Sequence, residues 1–98
     1  MEVSIFEIIN EKDIAIIDIR ENYLYQQGHV TLSKNIPYLL LKQMPNKYLD
    51  KNKVYYLYCS MGQKSKQLSN YLNNLGYLTF YVKEGYDNFK NGLSMLKK

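Results

Sequence analysis

Apolar positions fall into short runs separated by polar, glycine-containing segments. Ile14 to Ile17 is a continuous β-branched and alanine run closed by Asp18. Such a run suits a strand buried on both faces of a parallel sheet. Val54 to Tyr58 predicts a second buried strand with Cys59 at its carboxyl end, and Tyr77 to Val82 a third. Asn35-Ile36-Pro37 predicts a brief strand turning into a helix, with Pro37 at its first position and Pro45 as its end. Helical spacing fills the gaps. Ser4 and Glu7 make a capping box over Ile5, Ile8 and Ile9, a first helix ending near Asn10. Glu21 to Gln27 reads as a short helix stopped by Gly28. Leu68, Tyr71, Leu72 and Leu75 stand at i, i+3, i+4 and i+7 and predict an amphipathic helix closed by Gly76. Tyr86, Phe89, Leu93 and Leu96 mark a final helix, weakened by Asn91-Gly92.

Strands and helices that alternate in this way predict an α/β domain with a parallel sheet covered on both faces. The 98 residues fit one domain spanning 1–98. In such sheets ligands bind beyond the carboxyl ends of the strands. Asp18 and Cys59 both stand at such ends and are expected on one rim.

Composition narrows the chemistry. A single cysteine excludes an intramolecular disulfide, a built-in resolving thiol and a Cys-rich metal site. The net charge is +4, and only Arg20 among the thirteen basic residues is arginine. The lysines are scattered along the chain, which favours a solvated basic surface over a nucleic-acid footprint. The charge remains compatible with small anions. Met1-Glu2-Val3-Ser4 reads as no signal peptide, and no apolar run is long enough to span a bilayer. The expectation is a cytoplasmic protein with no membrane partner, where a lone thiol stays reduced.

The segment after Cys59 carries the strongest chemical signal. Ser60-Met61-Gly62-Gln63-Lys64 is short, so its backbone N–H groups can curl around one point, and a helix starts there. Lys64 adds a positive charge. Together these favour a thiolate at Cys59 and an anionic group attached to it. The sharp reading is a nucleophilic sulfur; the plain one is a small buried hydrophobe.

The chain then resembles a known family. Asp18-Ile19-Arg20, Gly28-His29-Val30 and Asn35-Ile36-Pro37 are similar to the first half of rhodanese-like domains. Tyr56-Leu57-Tyr58-Cys59, Gly62, Lys64-Ser65, Leu75-Gly76-Tyr77 and Glu84-Gly85-Tyr86 are similar to the second half. The resemblance implies a five-stranded parallel sheet flanked by helices. It also implies a cysteine that cycles between thiolate and persulfide, with Cys59 as the catalytic residue. Sulfurtransferases of the family resemble one another in a six-residue active loop, whereas the related phosphatases and arsenate reductases have one residue more. Cys59 to Lys64 is the six-residue version.

The resemblance assigns Ser60, Met61, Gly62, Gln63, Lys64 and Ser65 to substrate binding and Asp18, Arg20 and His29 to support. For His29 a structural hydrogen bond is preferred over catalysis. For Asp18 and Arg20 a buried pair bracing the loop is preferred over acid–base work or direct anion binding. It implies a small anionic sulfur donor such as thiosulfate and a thiol or cyanide acceptor, with a protein acceptor as a further candidate, and no metal or organic cofactor. Five positions depart from the family pattern. Ser60 and Lys64 stand where arginine is usual, which weakens anion recognition. Leu24 replaces an acidic residue, Leu32 a small one and Phe89 an aromatic that is often tryptophan; these three are expected to touch packing alone. A non-turnover sulfur carrier or regulatory module is the alternative, with an arsenate reductase or phosphatase behind it.

Overall fold

Parallel strands buried on both faces must alternate their side chains between two apolar layers. The computed structural model describes residues 1–96, with side chains as far as Gly92. It shows that alternation around a five-stranded sheet. The elements are β1 (Glu2–Val3), α1 (Ile5–Ile8), β2 (Ala15–Asp18), α2 (Asn22–Gln27), β3 (Lys34–Asn35) and α3 (Tyr38–Gln43), followed by α4 (Pro45–Tyr48), β4 (Val54–Tyr58), α5 (Gln63–Asn74), β5 (Leu78–Val82) and α6 (Tyr86–Leu96). The strand order is β1-β5-β4-β2-β3, and every pairing is parallel. Tyr55, Leu57 and Cys59 face one layer, where Leu41, Leu68 and Leu72 pack on them. Tyr58 faces the other, with Ile5, Ile8, Val82 and Phe89.

β1 is the strand that hydrophobic patterning does not predict. Two residues carry no periodicity, and β1 exists because it pairs with Tyr81 and Val82 of β5. The capping box of α1 forms as expected, and Ser4 does more than cap. Its hydroxyl donates to Glu84, whose other oxygen accepts from the Ile5 amide at 2.9 Å. The N-terminal turn is thereby tied to the segment before α6.

Other boundaries differ for local reasons. Pro37 is the cap of α3 rather than its first residue. Pro45 ends α3 but also opens α4, because a proline suits a first helical turn. α5 starts at Gln63, so Gln63 and Lys64 belong to its first turn and not to the loop. Its buried face is Ser65, Leu68, Ser69 and Leu72, while Tyr71 and Leu75 stay exposed. The helix needs serines on that face because it lies close on β5, where Ser69 Oγ meets Thr79 Oγ1 at 2.7 Å. α6 runs through Asn91-Gly92 without a break; the side chains of Leu93 and Leu96 lie outside the described residues. Among the described residues no helix is long and apolar enough to cross a membrane.

Candidate active site

β4 delivers Cys59 to the carboxyl rim of the sheet, and the chain turns at once into α5. Cys59 Sγ accepts from the Gly62 amide at 3.1 Å and from the Ser65 amide at 3.3 Å. Ser65 Oγ lies 3.4 Å from the sulfur and donates to the Gly62 carbonyl. Two amides aimed at one sulfur, at the start of a twelve-residue helix, favour negative charge on it. Gly62 makes the turn possible. Its φ is +93°, and a Cβ there would stand 2.7 Å from the Lys83 carbonyl oxygen.

The loop is gripped from its other side by the start of α6. The Tyr86 amide donates to the Cys59 carbonyl at 2.8 Å, and the Asp87 amide to the Ser60 carbonyl at 3.2 Å. Gly85 lets this approach happen, since a Cβ on it would overlap the Ser60 carbonyl and the Met61 backbone. Gly85→Ala therefore forces two backbones apart. Thermal melts should show a loss of about 3 kcal/mol, at the upper end of overpacking penalties. Alkylation of Cys59 should change with it, because the carbonyls held by α6 are those of the reactive loop. A variant of native stability and native alkylation rate would mean that the loop is not held there.

Beneath the rim lies a buried charge network. Arg20 Nη2 meets Asp18 Oδ2 at 2.7 Å, and Arg20 Nε lies within 3.1 Å of both carboxylate oxygens. Arg20 also donates to the Gly28 carbonyl at 2.7 Å and stacks over Tyr86, 4.1 Å from the ring centre. The Tyr58 hydroxyl donates to Asp18 at 2.7 Å and accepts from the Val30 amide at 3.0 Å. Burial by itself would lower the Arg20 guanidinium, but its hydrogen bond to Asp18 and the charge there hold it above its ordinary range. Burial pushes the Tyr58 hydroxyl up, and the Asp18 charge adds to the rise. Among the described residues no buried side-chain nitrogen or oxygen lacks a partner.

Cys59, 5% exposed, opens onto a cavity of about 330 Å³. Ser60, Met61, Gln63 and Lys64 line it, whereas Gly62 and Ser65 sit behind the sulfur as its donors. Arg20 reaches the wall with its charge already committed to Asp18 and Gly28. Lys64 Nζ lies 5.6 Å from the centre of the Tyr38 ring. His29 is outside the cavity lining: it stacks on Tyr25 at 3.7 Å and hydrogen-bonds the Tyr25 carbonyl.

Three cavity residues escape motif reading: Glu21, Leu24 and Tyr38. Their signal was positional, because each closely follows the carboxyl end of β2 or β3. Leu24 thus walls the site and does more than pack. Leu32 packs little, being 80% exposed at φ 69°. Phe89 does pack, edge-on against both the Tyr58 and Tyr86 rings. The cavity wall is mostly apolar; Glu21 brings a carboxylate to it, and Lys64 is the one cation there that is not ion-paired.

The rhodanese-like domain family model matches residues 5–92. The chain is 31% identical over 84 residues to a tRNA uridine(34) hydroxylase of an Aster yellows witches'-broom phytoplasma, covering 81% of this chain and 27% of that protein. It is 26% identical over 76 residues to the thiosulfate sulfurtransferase GlpE of Coxiella burnetii, covering 78% of this chain and 70% of that one. A rhodanese-related protein of Thermoplasma volcanium superposes with a TM-score of 0.71 at 30% identity, over 83% of this chain and 78% of that one. The chain thus spans about a quarter of the phytoplasma protein and most of the other two.

Proposed function

The chain belongs to the rhodanese-like domain family, and from that premise we propose that it is a sulfurtransferase working through a persulfide on Cys59. The observation that carries this reading is the pair of amides, Gly62 and Ser65, converging on Cys59 Sγ at the base of an open cavity. The Cys59 thiolate attacks the outer sulfur of a donor. The donor's S–S bond breaks, and its electron pair leaves with sulfite or a thiolate. The persulfide sits in the cavity, with its inner sulfur held by the two amides. An acceptor thiolate (or cyanide) then attacks the outer sulfur and returns Cys59 to thiolate. Exchange between thiolates needs no metal or organic cofactor. A lone thiol used this way fits the reducing cytoplasm. Intact mass after thiosulfate treatment tests the reading. The expected result is a gain of one sulfur atom, lost on adding a thiol; a mass unchanged by every sulfane donor tried would overturn it.

The cavity's charges also favour a second reading, a sulfur carrier or regulatory module that does not turn over alone. Ser60 offers a donor anion no cation, Arg20 is bound to Asp18, and Glu21 adds a carboxylate to the lining that Lys64 shares. Turnover with a small persulfide donor separates the two. A phosphatase or arsenate reductase would need a larger cradle than the six-residue loop from Cys59 to Lys64, and hydrolysis of a phosphate ester at Cys59 would reinstate it.

Under the favoured reading thiosulfate is held weakly, with a high KM. Ser60→Arg should raise kcat/KM for thiosulfate about tenfold, the value of one recovered charge-assisted contact. Steady-state kinetics on both proteins check this. An unchanged kcat/KM in a stable variant would mean that the sulfonate does not lie beside residue 60.

A further inference from the structure

The lysines form no long run in the sequence, but their balance against carboxylates differs along it. Seven lysines and a single carboxylate, Asp50, lie between residues 34 and 77, whereas residues 1–33 hold six carboxylates against Lys12 and Arg20. The basic stretch supplies α3, α4 and α5, which carry four of the seven lysines, Lys42, Lys47, Lys64 and Lys66. These helices share one layer, with α3 packed on both of the others and Leu41, Leu68 and Leu72 turned to the sheet. Among the described residues the one ion pair is Asp18–Arg20, so no lysine of this layer is ion-paired.

Tyrosine rings hold several of the charges in place. Lys42 Nζ lies 5.7 Å from the Tyr38 ring centre and 5.4 Å from that of Tyr71. Lys64 approaches Tyr38 from its own helix at 5.6 Å, and Lys47 lies 5.7 Å from Tyr48. Each such contact restrains a long side chain without cancelling its charge. Tyr38 also lines the Cys59 cavity, so the basic layer reaches the mouth of the site. Met61 of the cavity lining is 67% exposed, and Leu39, next to Tyr38 on α3, is 63% exposed.

We propose that the α3–α4–α5 layer docks a protein partner of acidic surface, which presents a cysteine to the cavity and exchanges sulfur with Cys59. The proposal rests on the sulfurtransferase reading and adds the class of partner. Charge complementarity selects an acidic surface, and the exposed Leu39 and Met61 give it apolar contacts of the kind found inside protein interfaces. A nucleic acid fits less well. The layer has no arginine to grip phosphates bidentately, and the Tyr38 and Tyr71 rings already carry lysine ammoniums where bases would stack. Because Cys59 lines the cavity and is only 5% exposed, the partner's cysteine must protrude from its surface. In the transfer the partner thiolate attacks the outer persulfide sulfur, the bond to Cys59 Sγ breaks, and its electron pair stays on Cys59. One persulfide and one thiolate exchange places, with no net oxidation.

Docking can be measured without sulfur chemistry, on the Cys59→Ser protein. The probes are fluorescent peptides in which glutamates, or glutamines, flank one cysteine, and an oligouridylate of equal length. The glutamate peptide should bind at low ionic strength and weaken as salt rises. Its affinity should fall about tenfold in Lys42→Glu/Lys47→Glu, and less in Lys42→Gln/Lys47→Gln. Sulfur transfer from wild-type persulfide to the glutamate peptide should be about tenfold faster than to the glutamine peptide, and the charge-reversed variant should lose that advantage. Loading of Cys59 by a small donor should be unchanged in the variant. Equal binding of both peptides overturns the proposal, and so does an oligouridylate that binds more tightly than the glutamate peptide. If the glutamate peptide docks on a protein whose Cys59 takes sulfur from no donor, docking stands and the sulfurtransferase reading falls.

Discussion

Replacing Cys59 with serine is expected to abolish sulfur transfer and leave the fold in place. The Cys59 side chain is almost fully buried, and its sulfur has two amide donors. A serine oxygen is smaller but can accept the same two bonds, so the loop keeps its shape. The stability change should stay within about 1 kcal/mol. Chemistry is a different matter. A hydroxyl is far too weak an acid to supply the nucleophile, and its oxygen forms no persulfide. With one cysteine in the chain, nothing else can take the sulfur. Intact mass after donor treatment, read beside a thermal melt, checks both halves. Sulfur uptake that survives in Cys59→Ser would end the persulfide mechanism, and a collapsed melt would make the cysteine structural.

Much of this site is legible in the amino-acid sequence because its parts are local. The turn from β4 through Cys59 into α5 spans a few residues, and each feature needed to read it is present there. The apolar run ends at Tyr58, Gly62 supplies the left-handed turn, and the helical spacing resumes with Leu68. What the sequence conceals depends on distant partners. β1 exists only as an edge to β5. The grip of Gly85 and α6 on the Cys59 and Ser60 carbonyls joins segments some 25 residues apart. Glu21, Leu24 and Tyr38 become cavity walls only when β2 and β3 lie beside β4. The amphipathic stripe of α5 misleads for a related reason. Close packing on β5 selects Ser65 and Ser69 for the buried face and turns the larger Tyr71 and Leu75 outward. The lysines of α3, α4 and α5, apart in the sequence, likewise share one layer only when the three helices pack together.

Asp18 is where the largest loss of stability is expected. Its carboxylate is fully buried and receives the Arg20 guanidinium, the Arg20 amide at 2.9 Å and the Tyr58 hydroxyl. Asp18→Asn keeps the shape and removes the counter-charge. Arg20 cannot shed its proton, because a guanidinium stays charged at any pH at which the protein folds. It would remain buried without a partner charge, at a cost of about 3 to 5 kcal/mol. A domain of this size has only about 5 to 15 kcal/mol to lose, so the melting temperature should drop by roughly 15 °C. Arg20→Met placed on Asp18→Asn should restore part of the loss, since both charges are then gone. The same network limits stability in alkali. The Tyr58 hydroxyl is pushed up by burial and by the Asp18 charge, so the folded chain keeps a proton that the unfolded chain releases near pH 10. Its contribution is whole below that pH and is lost as pH rises through and beyond it. Tyr58→Phe should remove that part of the alkaline slope while leaving the slope of the other tyrosines. Denaturant melts at neutral pH and above pH 10 test both statements. An Asp18→Asn protein within about 1 kcal/mol of the native chain would mean that water reaches the guanidinium and that the carboxylate does not brace the rim on which Cys59 stands.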